Sequence, residues 1–308
     1  MKILLFGKNG QLGWELQRSL APLGELVALG RQPESNPICE GAPLQGNFLH
    51  PAALADTIRQ VRPDVIVNAA ACTAVDQAES DTAAARMVNA TAVAVLAQEA
   101  ARLGAALVHF STDYVFDGSG ERPWRETDAP APLNVYGQTK LEGEQAIRQH
   151  GPRHLIFRTS WVYGARGSNF AKTMLQLGKE RSALNVIDDQ HGAPTGAELI
   201  ADVTAHAIRQ LLRDPACAGL YHLAAAGETT WHGYACHVLN AARAAGAAIK
   251  VAPQSVHPAP ASAYPSKAAR PANSRLDTTR LQHTFGIHLP DWRIGLERML
   301  SEVLTSQA

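Results

Sequence analysis

Tyr136 and Lys140 stand four residues apart in the run Tyr136-Gly137-Gln138-Thr139-Lys140. On a helix that spacing puts both side chains on one face. An ammonium beside a phenol stabilises the phenolate and brings down a pKa that otherwise lies near about 10. Such a phenol can exchange a proton with a substrate oxygen near neutral pH. Ser111 and Thr112 follow an apolar run at 106–110. A hydroxyl at a strand end can hydrogen-bond a carbonyl oxygen and polarise it. Gly7-Lys8-Asn9-Gly10-Gln11-Leu12-Gly13 lies between an apolar run and a helical pattern. This GxxGxxG spacing permits a tight turn, and lets Gly7, Gly10 and Gly13 bring backbone amides to a pyrophosphate at a helix N-terminus. Past the second apolar run, a carboxylate would select the ribose 2′-hydroxyl of NAD and an arginine the 2′-phosphate of NADP. Here Gly30-Arg31 occupies that place, and the first carboxylate is Glu34. NADPH is therefore expected, with NADH as the alternative.

The elements that must position these groups alternate in period. Residues 3–6, 26–29, 64–68, 106–111 and 155–160 read as short buried strands, and 13–23, 52–61, 82–103 and 135–149 as helices. The alternation predicts an α/β fold with a doubly wound, Rossmann-type parallel sheet. Ligands of such sheets bind beyond the carboxyl ends of the strands, so Gly7, Asn68, Ser111 and Ser160 are expected to converge on one crevice. The second half is less regular. Helices are expected over 170–178, 196–212, 230–244 and 291–303, with short strands near Val186 and Tyr221. The division expected is a dinucleotide-binding domain at 1–165, with 193–215 packing back on it. A smaller, partly interleaved substrate lobe would comprise 166–192 and 216–308. Segments 31–46 and 251–274, rich in Pro, Ala and Ser, read as loops.

Composition narrows the function classes. The 308 residues are 46% hydrophobic and 18% charged, enough for a sizeable core. Lys plus Arg and Asp plus Glu number 28 each, a net charge of zero. That balance argues against a nucleic-acid binder and against a polybasic membrane-surface protein. No apolar run reaches the length of a membrane span, and the N-terminal run is too short for a signal peptide. Cys39, Cys72, Cys217 and Cys236 are far apart, with no CxxC pair. They read as reduced thiols of a cytoplasmic protein. His150 and His154 have metal-like spacing, but Gly151 and Pro152 break the helix such a pair would need.

A glycine-rich turn, a hydroxyl at a later strand end and YxxxK on the next helix form the pattern of short-chain dehydrogenases/reductases. Longer runs sharpen the likeness: KILLFGKNGQLGWEL at 2–16, RPDVIVNAAACTAVDQAE at 62–79, STDYVFDG at 111–118 and PLNVYGQTKLEGE at 132–144. FRTSWVYG at 157–164, DDQHGAPTGAEL at 188–199 and RPANSRLD at 270–277 lie outside the common oxidoreductase core. With them, nearly the whole chain resembles the dTDP-4-dehydrorhamnose reductase family of extended short-chain reductases.

The resemblance implies reduction of the 4-keto group of dTDP-4-dehydro-6-deoxy-L-mannose to dTDP-L-rhamnose, for cell-surface polysaccharide. It implies Thr112, Tyr136 and Lys140 as the catalytic set, with Lys140 also holding the nicotinamide ribose. It places Asp113, Tyr114 and Trp161 along the sugar pocket. Gly10, Gln11, Leu12, Asn47, Phe48, Ala71, Cys72 and Thr73 match cofactor-binding positions. Cys72 stands where close relatives carry His, and the segment 33–43 is longer than theirs. Lys267, Arg270 and Arg275 concentrate positive charge in a loop-rich segment, which suits a diphosphate. Some family members bind Mg2+ at a homodimer contact through glutamates, and Glu15, Glu198 and Glu302 match those positions. Two rival readings share the scaffold: a nucleotide-sugar epimerase or dehydratase, for which Asp113 would be the acid or base, and a non-catalytic regulatory subunit.

If Arg31 reads the 2′-phosphate, Arg31→Ala lowers the ratio of NADPH to NADH turnover. An unchanged ratio removes Arg31 from cofactor selection.

Overall fold

The computed structural model describes residues 1–33, 43–151 and 153–305. Glu34, Cys39, Pro152 and nearly all of the segment 33–43 lie outside the described residues. Six strands form one parallel sheet: β1 (Lys2–Phe6), β2 (Glu25–Leu29), β3 (Val65–Asn68), β4 (Ala106–Thr112), β5 (His154–Thr159) and β6 (Gly219–His222). Their order is β2-β1-β3-β4-β5-β6, every neighbouring pair parallel. Strands covered on both faces must be apolar throughout, which is why KILLF, VIVN and ALVHFST lack polar alternation. Leu4, Phe6, Ile66 and Leu107 point to one core, while Ile3, Leu5, Val65 and Val108 point to the other. β6 corrects the expected division, since it lies inside the 216–308 stretch assigned to the second lobe yet pairs with β5.

The helices follow from capping and packing. α1 (Gln11–Leu20) and α2 (Pro51–Val61) follow β1 and β2 on opposite faces, through Leu16 and Leu20 on one side and Leu54 and Ile58 on the other. A short helix that the periodicity did not reveal, α3 (Val75–Ser80), comes after β3. The single helix expected over 82–103 is divided. It runs as α4 (Thr82–Arg86), a π-helical turn at Met87–Thr91, and α5 (Ala92–Leu103). The extra residue in a π turn redirects one side chain, here Asn89, toward the strand ends. α6 (Val135–His150) starts with the Asn134 side chain accepting from the Gly137 N–H.

The second half adds α7 (Phe170–Glu180), α8 (Ala197–Arg213), α9 (Trp231–Ala244), α10 (Thr279–Phe285) and α11 (Trp292–Thr305). α8 and α10 pack on the sheet through Ile200, Ile208, Leu281 and Phe285. α7, α9 and α11 enclose a separate core built on Leu175, Tyr234, Leu239, Trp292 and Leu296. A parallel pair, Leu184–Ile187 with Val256–Ala259, flanks it.

A buried ion pair ties the sheet to α6. The Arg158 guanidinium on β5 donates to both Glu144 oxygens, at 2.9 and 2.7 Å, and Ser111 donates to the same carboxylate. Ser111, expected to face the crevice, is thus committed to the scaffold. Glu144 stripped of its charge strands a buried guanidinium. Glu144→Gln should lower stability by about 3–5 kcal/mol, while Glu144→Leu with Arg158→Met together should fall much nearer wild type. Urea unfolding of the three proteins checks this.

Candidate active site

The glycine turn does two jobs. Gly7 has φ +86°, and a Cβ there would sit 2.7 Å from the Ala69 carbonyl carbon. A Cβ on Gly13 would lie 2.0 Å from the Gly7 oxygen. These two glycines therefore let α1 close on the junction of β1 and β3, where the winding of the sheet reverses. Gly10 differs. It would meet only the Gly7 oxygen, at 3.5 Å. It caps α1, and no side chain caps the first turn. The arrangement suits a phosphate, which would take the N–H groups that a capping side chain would otherwise satisfy. The donor set fits the pyrophosphate of a nicotinamide dinucleotide.

Around the turn, Gln11 accepts from Asn169 at 2.9 Å, joining it to the second half. Leu12 packs against the sheet core. Arg31 is exposed just past β2. Phe48 is buried edge-on against Phe6 with ring centroids 5.5 Å apart, and Asn47 accepts from the Leu49 N–H. Ala71, Cys72 and Thr73 extend from β3, with the Cys72 N–H and C=O both held by the Asn89 amide, at 2.9 and 3.1 Å. The backbone there is positioned independently of the side chain, which accommodates Cys.

Thr112 ends β4. Its hydroxyl donates to Asp113 at 3.0 Å and accepts from the Tyr114 N–H at 3.2 Å, and it is near enough to act on the Tyr136 phenol. A Cβ on Gly137 would lie 2.1 Å from the Tyr114 carbonyl oxygen. Only glycine in YGQTK lets the first turn of α6 lie flush on this corner. The Tyr114 and Tyr136 rings meet edge to face at 5.5 Å. Burial pushes the Asp113 carboxyl up to about 6, against hydrogen bonds from Ser274 and Thr112, and its Oδ2 has no partner.

Tyr136 departs from expectation. Its pKa is raised, first by burial and then by Asp113 and Cys72, with the Thr112 hydroxyl opposing. Lys140 is not among the influences. Its Nζ donates to the Phe110 carbonyl and lies 3.2 Å from His109 Nε2, while burial brings its own pKa down to about 8. The phenol is held protonated rather than acidified.

The outer site residues divide. Trp161 takes φ +49° and stacks on Trp231 at 3.7 Å, with Gly192 leaving room for its ring. The basic segment is not a free positive surface. Arg270 pairs with Asp76 at 2.7 Å, Arg275 with Glu228 at 3.4 Å, and Lys267 donates to Ser80. Arg270 still acts on the Tyr114 phenol, lowering its pKa against burial. Glu15, Glu198 and Glu302 do line one cavity between α1, α8 and α11. There, however, Arg18 pairs with Glu15 and Glu198, and Arg298 with Glu198 and Glu302. Among the described residues no three acidic, His or Cys side chains form a group that could hold a metal ion. The glutamates do not fit an Mg2+ site in this state. No described helix is long and apolar enough to cross a membrane.

Sequence reasoning passed over His109, Asn89, Glu144 and Arg158. His109, in an otherwise apolar strand, was the clearest available signal. The others lie inside helices and strands where their spacing carries no pattern.

The RmlD substrate binding domain model matches residues 1–305. The dTDP-4-dehydrorhamnose reductase of Salmonella typhimurium is 58% identical over 306 residues, 99% of each chain. That of Escherichia coli K12 is 56% identical over 308 residues, with both chains fully covered. A crystal structure of the Bacillus anthracis dTDP-4-dehydrorhamnose reductase in complex with NADP superposes with a TM-score of 0.84 at 32% identity, covering 98% of this chain and 99% of that one.

Because Lys140 sits below its ordinary 10.5, the unfolded chain binds a proton that the folded chain has released between about pH 8 and pH 10.5. The penalty is full below that window and absent above it. Urea unfolding of wild type and Lys140→Met across pH should show wild type gaining about 3 kcal/mol on the variant as pH rises through the window. A constant difference would mean that the amine is not desolvated.

Proposed function

The chain belongs to the RmlD family of dTDP-4-dehydrorhamnose reductases, and we propose that it reduces the 4-keto group of dTDP-4-dehydro-6-deoxy-L-mannose with NADPH, giving dTDP-L-rhamnose. The observation that carries this reading is the seating of α6, which bears Tyr136 and Lys140, on the corner after Thr112 at the carboxyl end of β4, in a sheet whose first strand leads into an α1 with no side-chain cap. When bound, the reduced nicotinamide supplies the hydride that reaches the sugar C4.

The chain's own groups supply the rest. The turn from Gly7 to Gly13, with Gln11 and Leu12, receives the pyrophosphate. Arg31 meets the 2′-phosphate, Asn47 and Phe48 border the adenosine, and Ala71, Cys72 and Thr73 border the nicotinamide half. Lys140 holds the nicotinamide ribose. Tyr136, kept protonated by burial, gives its proton to the C4 oxygen as that atom gains charge. The Thr112 hydroxyl tunes that transfer. Asp113, Tyr114, Trp161 and Arg270 face the sugar nucleotide. In this reading the sheet half carries the cofactor, and the half built on α7, α9 and α11 closes over the substrate.

Tyr136→Phe should lower the rate of ketone reduction by about 10²–10⁴-fold and leave NADPH affinity nearly unchanged. The assay supplies the 4-keto sugar nucleotide and follows NADPH absorbance together with product formation. One NADPH consumed per product is expected. Product without net NADPH loss would make the chain a redox-neutral epimerase or dehydratase, and a wild-type rate in the variant would take the proton-donor role from Tyr136.

A further inference from the structure

His109 lies wholly buried on β4, behind the amine of Lys140, in a place that the reaction described above does not use. Its hydrogen bonds determine where its proton sits. The Ala70 N–H needs an acceptor and finds Asn68 Oδ1 at 3.0 Å. That contact orients the Asn68 amide, so its Nδ2–H points at His109 Nδ1, 3.0 Å away. An N–H donor aimed at Nδ1 requires a lone pair there. The imidazole is neutral, because burial, the first influence on it, holds its pKa far below the usual value. Its one proton therefore stands on Nε2, and Nε2 faces Lys140 Nζ at 3.2 Å. An ammonium has only donors to offer, whereas a neutral amine has a lone pair that can accept.

We propose that Asn68 and His109 act as positioning residues that set the ionisation of Lys140. Asn68 locks the Nε2–H tautomer, and His109 presents that N–H to the lysine, favouring the amine over the ammonium in the cofactor-free site. Burial is the first influence that lowers the Lys140 pKa, and the His109 contact would act beside it. Phe110 accepts from Nζ through its backbone carbonyl. Glu144, on α6, favours the charged form, but its oxygens are engaged by Arg158 and Ser111. Asn89, in the π turn, is directed to Cys72 and Thr139. Asp113 and Cys72 act on Tyr136. Conversion to the ammonium with an acceptor at His109 would require the imidazole to move its proton to Nδ1, and the Asn68 amide to turn away from Ala70. The lysine's charge is thus coupled to the end of β3, beside the segment assigned to the cofactor.

The inference rests on the reading of Lys140 as part of the reductase site, but its first test does not. Nitrogen-15 NMR of histidine- and lysine-labelled, cofactor-free protein reads the His109 tautomer and the Lys140 titration directly. Lys140→Met and His109→Phe identify the resonances. Wild type should show neutral His109 protonated on Nε2. Asn68→Leu removes the lock without adding charge. In that variant His109 should shift toward the Nδ1–H form, and the Lys140 midpoint should rise by about one pH unit or more. The pH profile of ketone reduction should move with it. An Nδ1–H or doubly protonated His109 in wild type overturns the proposal, as does an unmoved Lys140 midpoint in Asn68→Leu, or a profile that ignores the midpoint. Should Asn68→Leu fail to fold, the wild-type tautomer still decides. A protein that showed the NMR behaviour but reduced no ketone would sink the reductase reading and leave the proton arrangement standing.

Discussion

The close seating of α6 on the carboxyl edge of β4 is the constraint on which the site depends. Gly137 meets the Tyr114 carbonyl with no room for a side-chain carbon. That contact places Tyr136 beside Thr112, and carries Lys140 down among Phe110 and His109. Removal from water then governs both groups. It raises the phenol and lowers the amine, in each case favouring the neutral form. Both groups share one low-dielectric pocket, and burial rather than the lysine charge is the first influence on the phenol.

Two scaffold devices keep that seating rigid. The Glu144–Arg158 pair, with Ser111, binds α6 to β4 and β5 from below. The Asn89 amide, redirected by the π turn, grips both backbone groups of Cys72 and the Thr139 hydroxyl. One side chain thus links the strand end where a nicotinamide would lie to the helix that bears Tyr136 and Lys140. Polar groups this deeply buried are tolerable because the carboxylate and the amide each hold several partners, although Arg158 Nη1 is left without one.

The parallel sheet was legible because short, largely apolar runs alternate with stretches of helical period. Thr112, Tyr136 and Lys140 were legible as candidates because proton transfer restricts residue type and spacing at the same time. The sixth strand was legible as a strand near Tyr221, but its place in the sheet was not. Gly219–His222 is four residues long and separated from the others by α7 and α8, so nothing local distinguishes it from a strand of the second lobe. Ser111 was misread, and the pairing of the basic segment at 267–275 was not foreseen, for a related reason. A hydroxyl or a guanidinium declares its chemistry in the sequence but not its partner, and here the partners are Glu144, Asp76 and Glu228.

The sequence by itself determined the period of each element, the glycines that close approaches demand, and the identities of the groups that can move a proton. Those are properties of a residue and its near neighbours. The tertiary structure alone decided the charge each of those groups carries. Ionisation depends on how much water remains and on which atoms fill the vacated space. At Lys140 these are atoms from β4 and from α6, brought together only by folding.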